Sequence, residues 1–154
     1  MLILSKPSDF ATYRDQKLGH SDWFTIEQSH ISQFAALTGD DFWIHVDESR
    51  ALKEMPVGKT IAHGLFVLSL IPLLQRQIFK IEKRGKGINY GSNKVRYIEP
   101  VPVGSRIRLH QSLAAVEVGE WSTKITTLNT FELQGALRPA VVADFILLLY
   151  ESDV

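Results

Sequence analysis

The chain contains no cysteine, which excludes disulfides, thiolate metal sites and cysteine nucleophiles together. It has no excess charge of either sign. Seventeen basic residues balance seventeen acidic ones and no run of like charge occurs, so the electrostatic footprint of a nucleic-acid binder is missing and no nucleic-acid partner is expected. Hydrophobic runs long enough to cross a bilayer are also lacking. Thr60 to Gln75, TIAHGLFVLSLIPLLQ, carries no formal charge but is 16 residues long and contains His63, against the roughly 20 residues a span requires. It reads as a buried core helix, and no membrane association is expected. The N-terminus, MLILSKPSDFATYRD, has three apolar residues after Met1 before charges begin. It lacks both a basic leader and a long apolar stretch, so it does not read as a signal peptide, and the expected location is cytoplasmic. Internal repeats and low-complexity tracts are absent.

What is present is ordinary globular composition: 154 residues, 45% apolar and 22% charged. That length predicts a single domain, residues 1–154, with a continuous core. Thr25-Ile26-Glu27-Gln28 has the form of a capping box, and Ile26, His30, Phe34 and Leu37 recur at helical spacing, predicting an amphipathic helix that stops at Gly39. An irregular stretch, Asp40–Ile44, follows. A short helix from Asp47 to about Lys53, capped by Asp47, comes next. From Gly64 to Lys80 the pattern is apolar on nearly every face. That predicts one helix of about 25 Å enclosed by protein, with a kink at Pro72.

After Gly85 the character changes to strands. Asn89–Ile98, Ser105–Glu117, Ser122–Leu133 and Pro139–Tyr150 are the candidates. Ile107, Leu109 and Leu113 alternate with Arg106, Arg108 and His110, so one face is apolar and the other polar. VVADFILLLY predicts a centrally placed strand. Short helices, a long buried helix and then an antiparallel meander are satisfied by one α+β arrangement, a sheet whose inner face wraps a central helix.

The segment LTGDDFWIHVDESRA, Leu37 to Ala51, raises a chemical question. Asp40 and His45 are five residues apart, separated mainly by apolar side chains. In isolation such a pair is more often a helix cap beside a satisfied structural histidine than a catalytic pair. On a helix, an offset of five residues would splay the two side chains by about 140°, so a convergent pair requires a loop. Five histidines without clustered spacing do not make a metal site.

Asp40 to His45, followed by Val46-Asp47, resembles the signature of the MaoC-like dehydratases, written G-D-x-N-P-[LIV]-H-x-D. It is closer to the nodulation-protein-N-like branch, G-D-x-Q-W-I-H-V-D. Thr60-Ile61-Ala62-His63-Gly64, Ile88-Asn89-Tyr90-Gly91, Asn93-Lys94-Val95-Arg96 and Pro100-Val101-Pro102-Val103-Gly104-Ser105 are similar to further segments of that branch, and the likeness spans roughly residues 20 to 150. Two positions depart from the pattern. Phe42 stands where the signature has Asn or Gln. Pro72 stands where some members have a serine on the central helix, and Ser69 is the nearest hydroxyl.

The resemblance implies a hot-dog fold and the reversible addition of water to a trans-2-enoyl thioester, giving the (R)-3-hydroxyacyl thioester. Such a reaction needs no cofactor. Asp40 and His45 would hold the water and share the proton transfers. Phe42, Trp43 and Ile44 would keep the pocket dry. The Gly64 N–H, at the positive end of a buried helix, would donate to the thioester oxygen, a contribution of about 3–4 kcal/mol in comparable oxyanion holes. Glycine at that position would permit close approach of the substrate carbonyl. Phe42, Trp43, His63 and Ser69 are the expected substrate-binding residues, with His63 shaping the helix start. The expected partners are an acyl-CoA or acyl-carrier-protein thioester and a second copy of the chain. Acyl-CoA hydrolysis, or acyl-CoA binding with weak catalysis, are the alternatives.

Overall fold

The computed structural model describes residues 1–151, so the expected limit at residue 154 lies outside the described residues. The chain opens with β1 (Leu2–Leu4) and a 3-10 helix over Pro7–Tyr13 whose Phe10 is fully buried. β2 (Lys17–His20) and β3 (Phe24–Thr25) follow. Because Phe24 and Thr25 are drawn into the sheet, α1 (Gln28–Thr38) starts later than the Thr25 capping box predicted. Its N-cap is Glu27, whose backbone N–H donates to His30 Nδ1 at 3.3 Å. Gly39 ends the helix as expected, in the left-handed region at φ 75°, where glycine carries no Cβ penalty. The buried face holds Ile31 and Ala35, with His30 and Phe34 half-buried, while Leu37 of the expected stripe is exposed.

α2 (Trp43–Val46) is a single turn, and α3 (Glu48–Glu54) is capped as predicted, Asp47 Oδ1 accepting the Arg50 N–H at 2.9 Å. The single helix expected over Gly64–Lys80 is instead two, α4 (Gly64–Ser69) and α5 (Ile71–Gln75). The break has a local cause. Pro72 has no N–H with which to continue the ladder, and it sits in the first turn of α5, where that loss is harmless. At the junction the Leu70 N–H turns back to the Val67 carbonyl at 3.2 Å, and Ser69 Oγ donates to the Phe66 carbonyl at 2.7 Å. Phe79 and Lys80 belong to β4 (Phe79–Ile81), which pairs in parallel with β1. The segment is not enclosed on every side either: Phe66, Val67, Leu70, Ile71 and Leu74 are buried, but Leu65 and Leu73 are exposed.

β5 (Gly87–Tyr97), β6 (Arg106–Val118), β7 (Ser122–Leu133) and β8 (Val141–Tyr150) match the expected strands closely. The sheet order is β2-β6-β7-β8-β5, antiparallel throughout, with β3 also paired to β6. β8 is interior, as its apolar sequence predicted. β5 lies at the edge against β8, so the meander comprises β6, β7 and β8 alone. Ile107, Leu109 and Leu113 are buried on the inner face, which packs with α4 and α5 into one apolar cluster. This is the α+β hot-dog architecture, a sheet wrapped around a central helical segment in two pieces.

Candidate active site

Asp40 and His45 are brought together by the end of α1. The left-handed Gly39 turns the chain out of the helix, Asp40–Phe42 run without regular structure, and α2 carries His45 inward. Trp43 and Ile44, expected in the loop, are helical. The His45 N–H donates to the Phe42 carbonyl and the Asp47 N–H to the Trp43 carbonyl, each at 2.9 Å. Gln28 of α1 anchors this turn by donating to the His45 carbonyl at 2.8 Å.

The imidazole of His45 is 9% exposed, and its Nδ1 lies 2.7 Å from the Ile61 carbonyl oxygen. A carbonyl oxygen only accepts, so Nδ1 carries the proton and Nε2 offers the lone pair. His63 has the opposite tautomer. Its Nε2–H donates to the main-chain carbonyl of Asp40 at 2.8 Å, leaving Nδ1 as a lone pair with no partner among the described residues. The His63 ring is buried between His45, at 3.7 Å between centroids and 24° between planes, and Phe34, at 5.0 Å.

The Asp40 carboxylate is half-exposed, 4.0 Å from His63 Nε2. A carboxylate oxygen of Asp40 and one ring nitrogen each of His45 and His63 lie within 4.8 Å of one another. One water making ordinary hydrogen bonds of about 2.8 Å to two of these groups spans such a gap. The same three side chains are the candidate metal ligands among the described residues, but they do not form a chelate. One nitrogen of each ring is committed to a carbonyl, and stacked imidazoles keep their in-plane lone pairs in two near-parallel planes rather than aiming them at a common point.

His45 and Gly64 share the wall of a cavity of about 270 Å³ whose other lining includes Val67, Tyr97, Val101 and Val141. The volume is near the lower limit of ligand pockets. As the first residue of α4, Gly64 has an N–H with no intrahelical acceptor. A Cβ on Gly64 would lie 2.5 Å from Tyr97 Cδ1, so the close approach this glycine permits is that of the Tyr97 ring. Sequence reasoning missed Tyr97, because an aromatic residue at the end of a strand carries no local signal of what it packs against.

Asp40, His45 and His63 thus converge, and Gly64 joins His45 at the cavity. Phe42, Trp43 and Ser69 are not part of the cavity wall. Phe42 is exposed beside Trp43, Trp43 lies under the Arg50 guanidinium at 4.1 Å, and the Ser69 hydroxyl is spent on the Phe66 carbonyl.

Known proteins are similar to this chain in sequence and in fold. Residues 9–133 match the family model described as MaoC like domain. The 3-hydroxyacyl-thioester dehydratase Z of Mycobacterium tuberculosis is 46% identical over 147 residues, covering 95% of this chain and 97% of that protein. Nodulation protein N of Rhizobium leguminosarum bv. viciae is 39% identical over 136 residues, covering 87% and 84%. Among solved structures, the (R)-hydratase from A. caviae involved in PHA biosynthesis superposes with a TM-score of 0.69 at 23% identity, covering 87% of this chain and 94% of that one.

Proposed function

The chain belongs to the MaoC-like domain family, and from that premise we propose that it is a hydro-lyase adding water reversibly across a trans-2-enoyl thioester, giving the (R)-3-hydroxyacyl thioester. The observation that carries the reading is the gap of at most 4.8 Å joining the Asp40 carboxylate and the His45 ring, with His45 also on the cavity wall beside the Gly64 N–H. The likeness to a 3-hydroxyacyl-thioester dehydratase over nearly the whole chain supports it independently.

The chemistry follows from the tautomer. With Nδ1–H held by the Ile61 carbonyl, His45 Nε2 accepts one hydrogen of the water and the Asp40 carboxylate accepts the other. Both hydrogens are then held, and an oxygen lone pair is free to attack the β-carbon. As the O–Cβ bond forms, the Cα–Cβ π pair moves toward the thioester and negative charge gathers on its oxygen. The Gly64 amide donates to that oxygen. The proton taken from water is returned to Cα, which completes the addition without a cofactor. Dehydration is the same path reversed.

The substrate is an acyl-CoA or acyl-carrier-protein thioester, and the small cavity favours short acyl chains. α4 and α5 contain no acidic residue, so nothing on the central helical segment supports thioester hydrolysis. The unit acts as one hot-dog domain over residues 1–154, in the cytoplasm, and as a homodimer. Support for the dimer comes from β5, an edge strand whose Ile88, Tyr90 and Tyr97 are exposed, together with Leu65 and Leu73 on the central helices. Pairing removes such an edge from solvent.

The test is loss of the conjugated enoyl absorbance of crotonyl-CoA with purified protein. Hydration that falls sharply in Asp40→Asn and in His45→Ala is the expected result. Unchanged turnover in both variants would overturn the assignment.

A further inference from the structure

His63 makes three contacts that the proposed chemistry does not use. Its Nε2–H holds the main-chain carbonyl of Asp40 at 2.8 Å, one ring face stacks on His45 at 3.7 Å, and Phe34 packs against the ring at 5.0 Å. It is 3% exposed and is not part of the cavity wall, so it does not meet a ligand there. Its Nδ1 is buried without a partner among the described residues, a position where a second ring proton would find no acceptor. His63 is therefore poorly placed to exchange protons in turnover. A buried, half-satisfied imidazole is destabilising unless its other contacts matter.

From these contacts we infer that His63 is a positioning residue, setting both partners of the attacking water from one side chain. The Nε2–H fixes the Asp40 main chain and hence the start of its side chain. The ring face fixes the plane of His45, and so the direction of the His45 Nε2 lone pair, while presenting π density to the imidazolium that forms when His45 takes a proton. Phe34 of α1 backs the ring, so the alignment is held by a packed helix rather than by the irregular link at Asp40–Phe42. Asparagine could not replace it without losing the stack, and phenylalanine could not without losing the donor.

The inference rests on the hydratase reading, and the experiment separates the two. His63→Gln keeps a donor and loses the ring; His63→Phe keeps the ring and loses the donor; His63→Leu loses both. In crotonyl-CoA hydration His63→Leu is expected to lose about a hundredfold in kcat, the scale of a ~1 Å misplacement, with KM little changed. His63→Gln and His63→Phe should each recover part of kcat. In the His63→Phe background Asp40→Asn should cost less than in wild type, because the carboxylate has already lost its tether, whereas in His63→Gln it should cost nearly the full amount. Folded variants with wild-type kcat, or strictly additive effects, would overturn the inference. Should the variants fail to fold, 15N NMR of the wild-type imidazoles still decides: His45 protonated at Nδ1 and His63 at Nε2 supports it, and His63 protonated at Nδ1 contradicts it. A wild-type protein without hydration would sink the hydratase reading and leave that NMR test standing.

Discussion

The ring of Tyr97 occupies the volume that a side chain on Gly64 would fill, with Tyr97 Cδ1 2.5 Å from the position of a Cβ. No real Cβ contact is so short, so Gly64→Ala must displace the ring or the start of α4. A loss of about 1–3 kcal/mol is expected, as for other overpacked sites, or several degrees in Tm for a domain of this size. Tyr97→Ala removes the obstructing atoms. The double variant should therefore melt above Gly64→Ala alone in calorimetry, and a Gly64→Ala protein as stable as wild type would show that the contact is not there.

Asp40 and His45 are expected to act as a unit. Each single variant, Asp40→Asn or His45→Ala, should lower kcat/KM for crotonyl-CoA hydration by about 10²–10⁴. The double variant should be little worse than the poorer single one, because removing either partner already frees the water. Multiplicative losses in steady-state kinetics would mean that the two side chains act on separate steps.

Away from the site, Glu132 on β7 sets a pH dependence of stability. The hydrogen bond from Arg108 and, opposing burial, that from His110 hold its carboxyl below the ordinary value of 4.5. The unfolded chain therefore binds more protons than the folded one just below that pH. The stabilisation is fully present above about pH 5, and it is lost as pH falls through the lowered folded value. Glu132 is partly exposed, so solvent limits the effect. Glu132→Gln should be less stable than wild type in denaturant titrations at pH 7, with the difference shrinking at pH 3. A constant difference across that range would contradict the assignment.

The proposed dimer has its own test. At micromolar concentration light scattering should return twice the chain mass. Charges placed on the exposed apolar side chains of the unpaired surface, as in Leu65→Glu with Tyr90→Glu, should shift it toward the monomer. A monomeric wild type would remove the proposed cover from the β5 edge.

Much of this was legible in the sequence, for identifiable reasons. The strands were read within a few residues because their period-two alternation, as in Ile107, Leu109 and Leu113, reports a sheet with one buried face. The left-handed Gly39 and the Asp47 cap were legible because backbone chemistry selects those residue types. The helix over Gly64–Lys80 was over-extended. Apolar residues run through Pro72 to Leu74 and resume at Ile78 just ahead of β4, and periodicity does not separate a buried helix from the short strand that follows it. α2 was invisible because a single turn has no period to detect. The relation between His45 and His63 was hidden for a different reason: the two stand 18 positions apart, and the stack depends on how α2 folds back against the start of α4. Tyr97 over Gly64 is likewise a tertiary fact.

A crystal structure with a bound (R)-3-hydroxyacyl-CoA tests the central claim most directly, since its C3 oxygen is the atom that was water. That oxygen should lie within hydrogen-bond reach of both the Asp40 carboxylate and His45 Nε2, with the thioester oxygen on the Gly64 N–H. A C3 oxygen bound elsewhere, with Asp40 and His45 both out of its reach, would contradict it.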